Sequence, residues 1–96
     1  MAYVMFTVTD EKKADEFAKS TGNFFYADCV RNVLRSEEYN PKILVVIIGR
    51  NEIATIVEDN FLEDSELITK LHEGGFDVRQ MNTKESEYFA DRRDLH

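Results

Sequence analysis

Carboxylates carry most of the chemistry this sequence could do. Between Asn51 and Thr69 stand Glu52, Glu58, Asp59, Glu63, Asp64 and Glu66, with no lysine or arginine in the interval. Such a cluster can serve three ends. Hard oxygen ligands suit magnesium or calcium, paired carboxylates can work as acid and base, and a surface of one sign can attract a basic partner or imitate the phosphates of a nucleic acid. The spacing does not match the Asp-x-Asp-x-Asp-Gly calcium loop, and Phe61 and Leu62 fall where ligands would be wanted. Nothing in the pattern marks a pocket or a raised pKa for acid–base work. Docking is the remaining reading, with Glu58, Asp59, Glu63, Asp64 and Glu66 as its protein-binding face. The structural alternative is a solvated strand end and helix start, where carboxylates complement the positive helix terminus. Capping alone would need fewer carboxylates around one turn.

The other reactive side chains read as structural. Cys29 lies on an apolar stripe between Phe25 and Val33, where a thiol behaves as a small inert hydrophobe. His72 falls in the last turn of a helix over 65–73, where its charged form would favour the dipole. His96 comes last in the sequence, and neither histidine has a partner at zinc-ligand spacing. Gly74 and Gly75 read as a helix stop, without the surroundings of a phosphate loop. Tyr88–Arg92 and Phe89–Arg93 are i,i+4 pairs able to make cation–π contacts on a short helix. Aromatic and arginine side chains also serve interfaces, so these four either dock a partner or tuck back onto the domain. No catalytic residue, metal or cofactor is expected.

Size and charge narrow the class. A chain of 96 residues forms one domain and buries roughly two-thirds of the surface its unfolded form exposes. With 43% hydrophobic residues it has the material for a core. The longest apolar run, 43–48, is far below the ~20 residues a membrane helix needs. The N-terminal residues lack a basic region and a small-residue cleavage site, so no signal peptide is expected. A lone cysteine excludes an intramolecular disulfide and fits a reducing compartment, so the cytoplasm is the expected location. A net charge of −7 and a pI near 4.7 repel phosphate backbones and anionic lipid and attract basic partners.

Apolar periodicity supplies the elements that must hold these residues. Residues 3–8 are an almost continuous apolar strand with the marks of a central one. Thr9 or Asp10 can cap a helix carrying Ala14, Phe17, Ala18 and Thr21 on one face, closed by Gly22. Asn23 can open a second helix, with Phe25, Tyr26, Cys29, Val30, Val33 and Leu34 as its stripe. Pro41 stops it. Residues 43–48 (Ile43, Leu44, Val45, Val46, Ile47, Ile48) read as a strand covered on both faces, Gly49-Arg50 or Arg50-Asn51 as a hairpin turn, and 53–57 as the returning strand. Asn60 with Glu63, or else Asp64 or Ser65, starts the next helix, with Leu67, Ile68 and Leu71 inward. Phe76, Val78 and Gln80 alternate with Asp77, Arg79 and Met81, the pattern of a strand with one wet face. Thr83 can cap a final short helix.

The order β-α-β-β-α-β predicts an α+β ferredoxin-like sandwich, with a broken first helix and a short C-terminal helix. Residues 1–82 would form the domain and 83–96 the helix or tail. That topology puts the second strand at an edge, whereas the apolar run 43–48 predicts an interior strand. An edge so apolar needs cover, from the extra helix, the tail or a second subunit, and a homodimer is one expectation. The alternative is a different small α/β sheet with 43–48 central. A thioredoxin-like rearrangement would lack the Cys-x-x-Cys of redox chemistry. RNA recognition needs stacking aromatics on the first and third strands; Tyr3 or Phe6 could serve, but 53–57 has none and the surroundings are acidic. Regulatory domains that bind amino acids use the same element order, an analogy of fold alone. The expected function is non-enzymatic: a binder, inhibitor or regulator that engages a basic protein partner, with no direct nucleic-acid or membrane partner. A small-molecule-sensing regulatory domain is the second expectation.

Overall fold

The computed structural model describes residues 1–39, 45–49 and 51–94, and at 45–48 and 92–94 it describes the backbone. The sheet is assembled around β1 (Ala2–Val8), which pairs antiparallel with both β3 (Glu52–Val57) and β4 (Phe76–Gln80). A further strand, β2 (Val45–Gly49), pairs antiparallel with β3, giving the order β2-β3-β1-β4. Alternation along each strand divides its side chains between two faces. Val4, Phe6, Ile53, Val57 and Phe76 lie in a core shared with α1 (Glu11–Ser20), α2 (Tyr26–Ser36) and α3 (Ser65–Glu73). Met5, Ala54, Ile56 and Met81 form a second cluster with Phe89 of α4 (Thr83–Asp94), and Tyr3 packs against it. The described residues thus form an α+β arrangement: an antiparallel sheet with three α-helices on one face and a fourth on the other. Among them, no helix is long and apolar enough to cross a membrane.

The interior position of the second strand is corrected. Among the described residues β2 has one ladder partner, β3, and so stands at the sheet edge, while positions 43 and 44 lie outside the described residues. The strands with two partners are β1 and β3, and residues 53–57 are all buried, Thr55 included. Hydrophobicity was a misleading guide because Ala54 and Thr55 are small side chains roofed by helices on both faces. Gly49 sits in the ladder opposite Glu52, next to a register shift after Ile47. Position 50, on which both turn readings depend, is outside the described residues.

Helix ends follow local chemistry. The Asp10 side chain accepts from the Lys13 amide at 3.1 Å and starts α1. At its other end Gly22 takes φ +79°, the Asn23 amide reaches the Ala18 carbonyl at 2.9 Å, and the Gly22 amide reaches Lys19 at 3.0 Å, closing the helix in a Schellman motif. The Asn23 side chain is turned back onto Thr21, so Asn23 closes α1 instead of opening α2. The second helix therefore starts at Tyr26 with an extended Phe25 as its cap, and Phe25 is 70% exposed instead of buried in the stripe. Its far end repeats the Schellman closure with Glu38 at φ 62°, a left-handed position held by a residue other than glycine. Gly75, after α3, is left-handed at φ +86°, and a Cβ there would lie 2.6 Å from the Asp10 carbonyl oxygen. That close approach lets the Gly75 carbonyl accept from the Thr9 amide at 2.8 Å, joining the end of α3 to the start of α1.

Candidate functional site

Two surfaces have the composition of a binding site, and the fold builds them on different sides of the sheet. The first is the acidic turn that follows β3. Residues Asp59–Glu63 form one 3-10 turn, pinned by Phe61, whose ring is fully buried and 6.0 Å from that of Phe6. Tyr39, arriving from the end of α2, fixes this turn from outside. Its carbonyl accepts the Glu58 amide at 3.0 Å, its ring meets Phe61 edge-on at 5.3 Å, and its hydroxyl donates to Asp64 at 2.8 Å.

The five predicted acidic residues divide in two. Glu58, Asp59, Glu63 and Glu66 are exposed, with Asp59 2.7 Å from the terminal ammonium of Met1. Asp64 is half-buried and caps α3, accepting the Leu67 amide at 3.1 Å. That amide and the Tyr39 hydroxyl hold its carboxyl below the usual range, and Asp64 in turn pushes the Tyr39 phenol up. Asp64 is thus a cap and a latch, and Asn60 with Glu63 does not form the predicted capping box. Glu37, which the sequence reading left out, comes to the same place: it lines a shallow cleft of about 150 Å³ with Asp64, Glu66 and Lys70. A run of two glutamates before Tyr39 was the available signal. No group of three or more histidine, cysteine or acidic side chains among the described residues could hold a metal ion.

The second surface is a groove of about 370 Å³ between the sheet and α4. Among the described residues, Met5, Ala54, Met81 and Phe89 make its apolar floor, with Tyr88 on one wall and Glu52, Lys84 and Glu85 as charged groups. A network at the start of α4 sets its shape. The Asn82 side chain accepts the Glu85 amide at 2.9 Å while Glu85 accepts the Asn82 amide at 3.1 Å, a reciprocal capping box that makes Asn82 the cap in place of the predicted Thr83. The same Glu85 carboxylate receives both terminal nitrogens of Arg79, which with the Asn82 amide lowers its pKa to about 2. Met81, expected on a wet strand face, is buried under the helix.

Of the remaining candidates, Cys29 and His72 stay apart from both surfaces, whereas Tyr88 and Phe89 belong to the second. Cys29 is fully buried, and burial pushes its thiol up, against a hydrogen bond with Thr21. His72 lies 3.5 Å from Asp77 on the surface. Phe89 is 1% exposed and edge-on to Tyr3 at 5.5 Å, whereas Tyr88 is 50% exposed. The side chains of Arg92 and Arg93, and His96 as a whole, lie outside the described residues. No family model matches the chain, nor does any curated protein or solved structure.

Proposed function

We propose that this chain is a non-enzymatic interaction protein, a binder, inhibitor or regulator that engages a basic protein partner through the acidic turn. The observation that carries the reading is the meeting of Glu37, from the end of α2, with Asp64 and Glu66 in one cleft that also holds Lys70, next to a turn held in place by Tyr39 on which Glu58, Asp59 and Glu63 are exposed. Pre-positioned carboxylates attract a cationic partner with little ordering cost, and imitation of nucleic-acid phosphates is the sharpest form of the idea. The order β2-β3-β1-β4 and its antiparallel pairing support a ferredoxin-like sandwich as part of this proposal. Cytoplasmic location and a homodimer that shields the apolar second strand complete the proposal. Affinity capture from the native host with the wild-type chain and with a Glu58→Gln, Asp59→Asn, Glu63→Gln, Glu66→Gln variant tests it. A partner retained equally by both, with the same salt response, would overturn the reading.

A second reading, a small-molecule-sensing regulatory domain, is favoured by one specific observation, the apolar groove under α4. Its volume lies within the range of small-ligand sites, about 300–1,000 Å³.

A further inference from the structure

We infer that the groove between the sheet and α4 binds a free α-amino acid with an apolar side chain, an inference that rests on the second reading above and gives it a ligand class. The floor of Met5, Ala54, Met81 and Phe89 offers a hydrocarbon and thioether surface. Two methionines make that floor adaptable to side chains of different shape.

The charged groups decide what the rest of the ligand must be. Glu85 lines the groove, but its carboxylate is taken by Arg79 and the Asn82 amide. Among the described lining residues Glu52 and Lys84 remain, one from the start of β3 and one from the first turn of α4; both are exposed, neither forms an ion pair among the described residues, and Arg79, engaged with Glu85, is near enough to Glu52 to feel its charge. A ligand that is only an acid meets Lys84 favourably but is repelled by Glu52 and by a chain of net charge −7. A ligand that is only an amine meets Glu52 but is repelled by Lys84. A zwitterion satisfies both, with its ammonium at Glu52, its carboxylate at Lys84 and its side chain on the methionine and phenylalanine floor. Tyr88, four residues after Lys84 on the same helix face, closes the wall beside the apolar part.

The test is an NMR titration of the whole chain with L-leucine and L-phenylalanine, with N-acetyl-leucine, which lacks the ammonium, and with leucinamide, which lacks the carboxylate. The expected result is saturable shift changes at Met5, Ala54, Lys84 and Phe89 with either amino acid. Each analogue should bind about tenfold more weakly, as for loss of one charge-assisted hydrogen bond. Glu52→Gln should weaken leucine and leucinamide while tightening N-acetyl-leucine, from which it removes a like charge, and Lys84→Gln should weaken leucine and N-acetyl-leucine while tightening leucinamide for the same reason. Both side chains are exposed, so both variants should fold. Analogues that bind as tightly as leucine would overturn the zwitterion and leave the groove a ligand site. No saturable change with any of the four compounds up to ~10 mM, a concentration that detects even millimolar affinity, would overturn the groove reading as well.

Discussion

Arg79 and Glu85 face each other through two parallel hydrogen bonds of 2.7 Å, and this pair ties the end of β4 to the first turn of α4. The geometry is the planar fork that makes arginine–carboxylate pairs stronger than ordinary surface ion pairs. Because Glu85 also completes the capping box with Asn82, one carboxylate fixes the helix start and its placement on the sheet.

Acid should loosen α4 first. Glu85 has a folded pKa of about 2, below its ordinary value, so its stabilising contribution is present above the unfolded pKa and is lost as pH falls through the folded one. Amide protection factors in α4, taken against the intrinsic exchange rate at each pH, should therefore fall between pH ~4.5 and ~2. In a Glu85→Gln variant that pH dependence should be much reduced, at a cost of roughly 1–2 kcal/mol at neutral pH.

Phe89→Ala should be among the most damaging single changes in α4. Phe89 is fully buried in the smaller cluster, and truncation of a buried phenylalanine costs about 3–5 kcal/mol. Urea denaturation would measure the loss. Hydrogen exchange should show α4 losing protection before the helices on the other face.

Two left-handed positions should respond in opposite directions. Gly75→Ala forces a side chain into a backbone region costing about 1–2 kcal/mol and against the Asp10 carbonyl, so the melting temperature should fall. Glu38→Gly relieves a similar strain at φ 62° and should raise stability by about 0.5–1 kcal/mol, less than the full strain because glycine loosens the unfolded chain.

Tyr39→Phe removes the hydroxyl that Asp64 accepts and keeps the ring on Phe61. The Asp64 carboxyl should titrate closer to the ordinary range, but still below it, because the Leu67 amide remains. Carbon-detected NMR titration of Asp64 would show it. An unchanged Asp64 titration would mean that the hydroxyl does not hold the latch.

Neutralising Glu58, Asp59, Glu63 and Glu66 should leave the fold intact, since the first three lie outside the α-helices and Asp64 keeps the cap. Partner binding should weaken mainly through a slower on-rate and become less dependent on salt. Stopped-flow association at two ionic strengths would separate that from a change in dissociation.

Local rules were legible wherever one residue decides the outcome. The Asp10 cap, the stops at Gly22 and Gly75 and the inward stripe of α3 could all be read from side-chain chemistry and spacing. Position within the sheet was not legible, because the hydrophobicity of 43–48 reports what a strand could bury and not which neighbours it receives. The start of α2 was missed because the Asn23 side chain serves the preceding helix. On the acidic turn the residue types were evident, but the division between four exposed carboxylates and one cap depends on Tyr39, which is 25 residues from Asp64. Of the groove only Tyr88 and Phe89 stood out in the sequence, since its walls come from β1, β3 and α4 and the segment before it.

The placement of α4 over its own sheet face matters during synthesis. Every strand is translated before α4, so a nascent chain that has completed β4 can form the sheet with Met5, Ala54, Ile56 and Met81 uncovered. Such a face is the kind of surface that chaperones hold and that aggregates when crowded. A message truncated after the codon for residue 82 would yield that sticky form permanently, and removal by cellular proteases would be its expected fate.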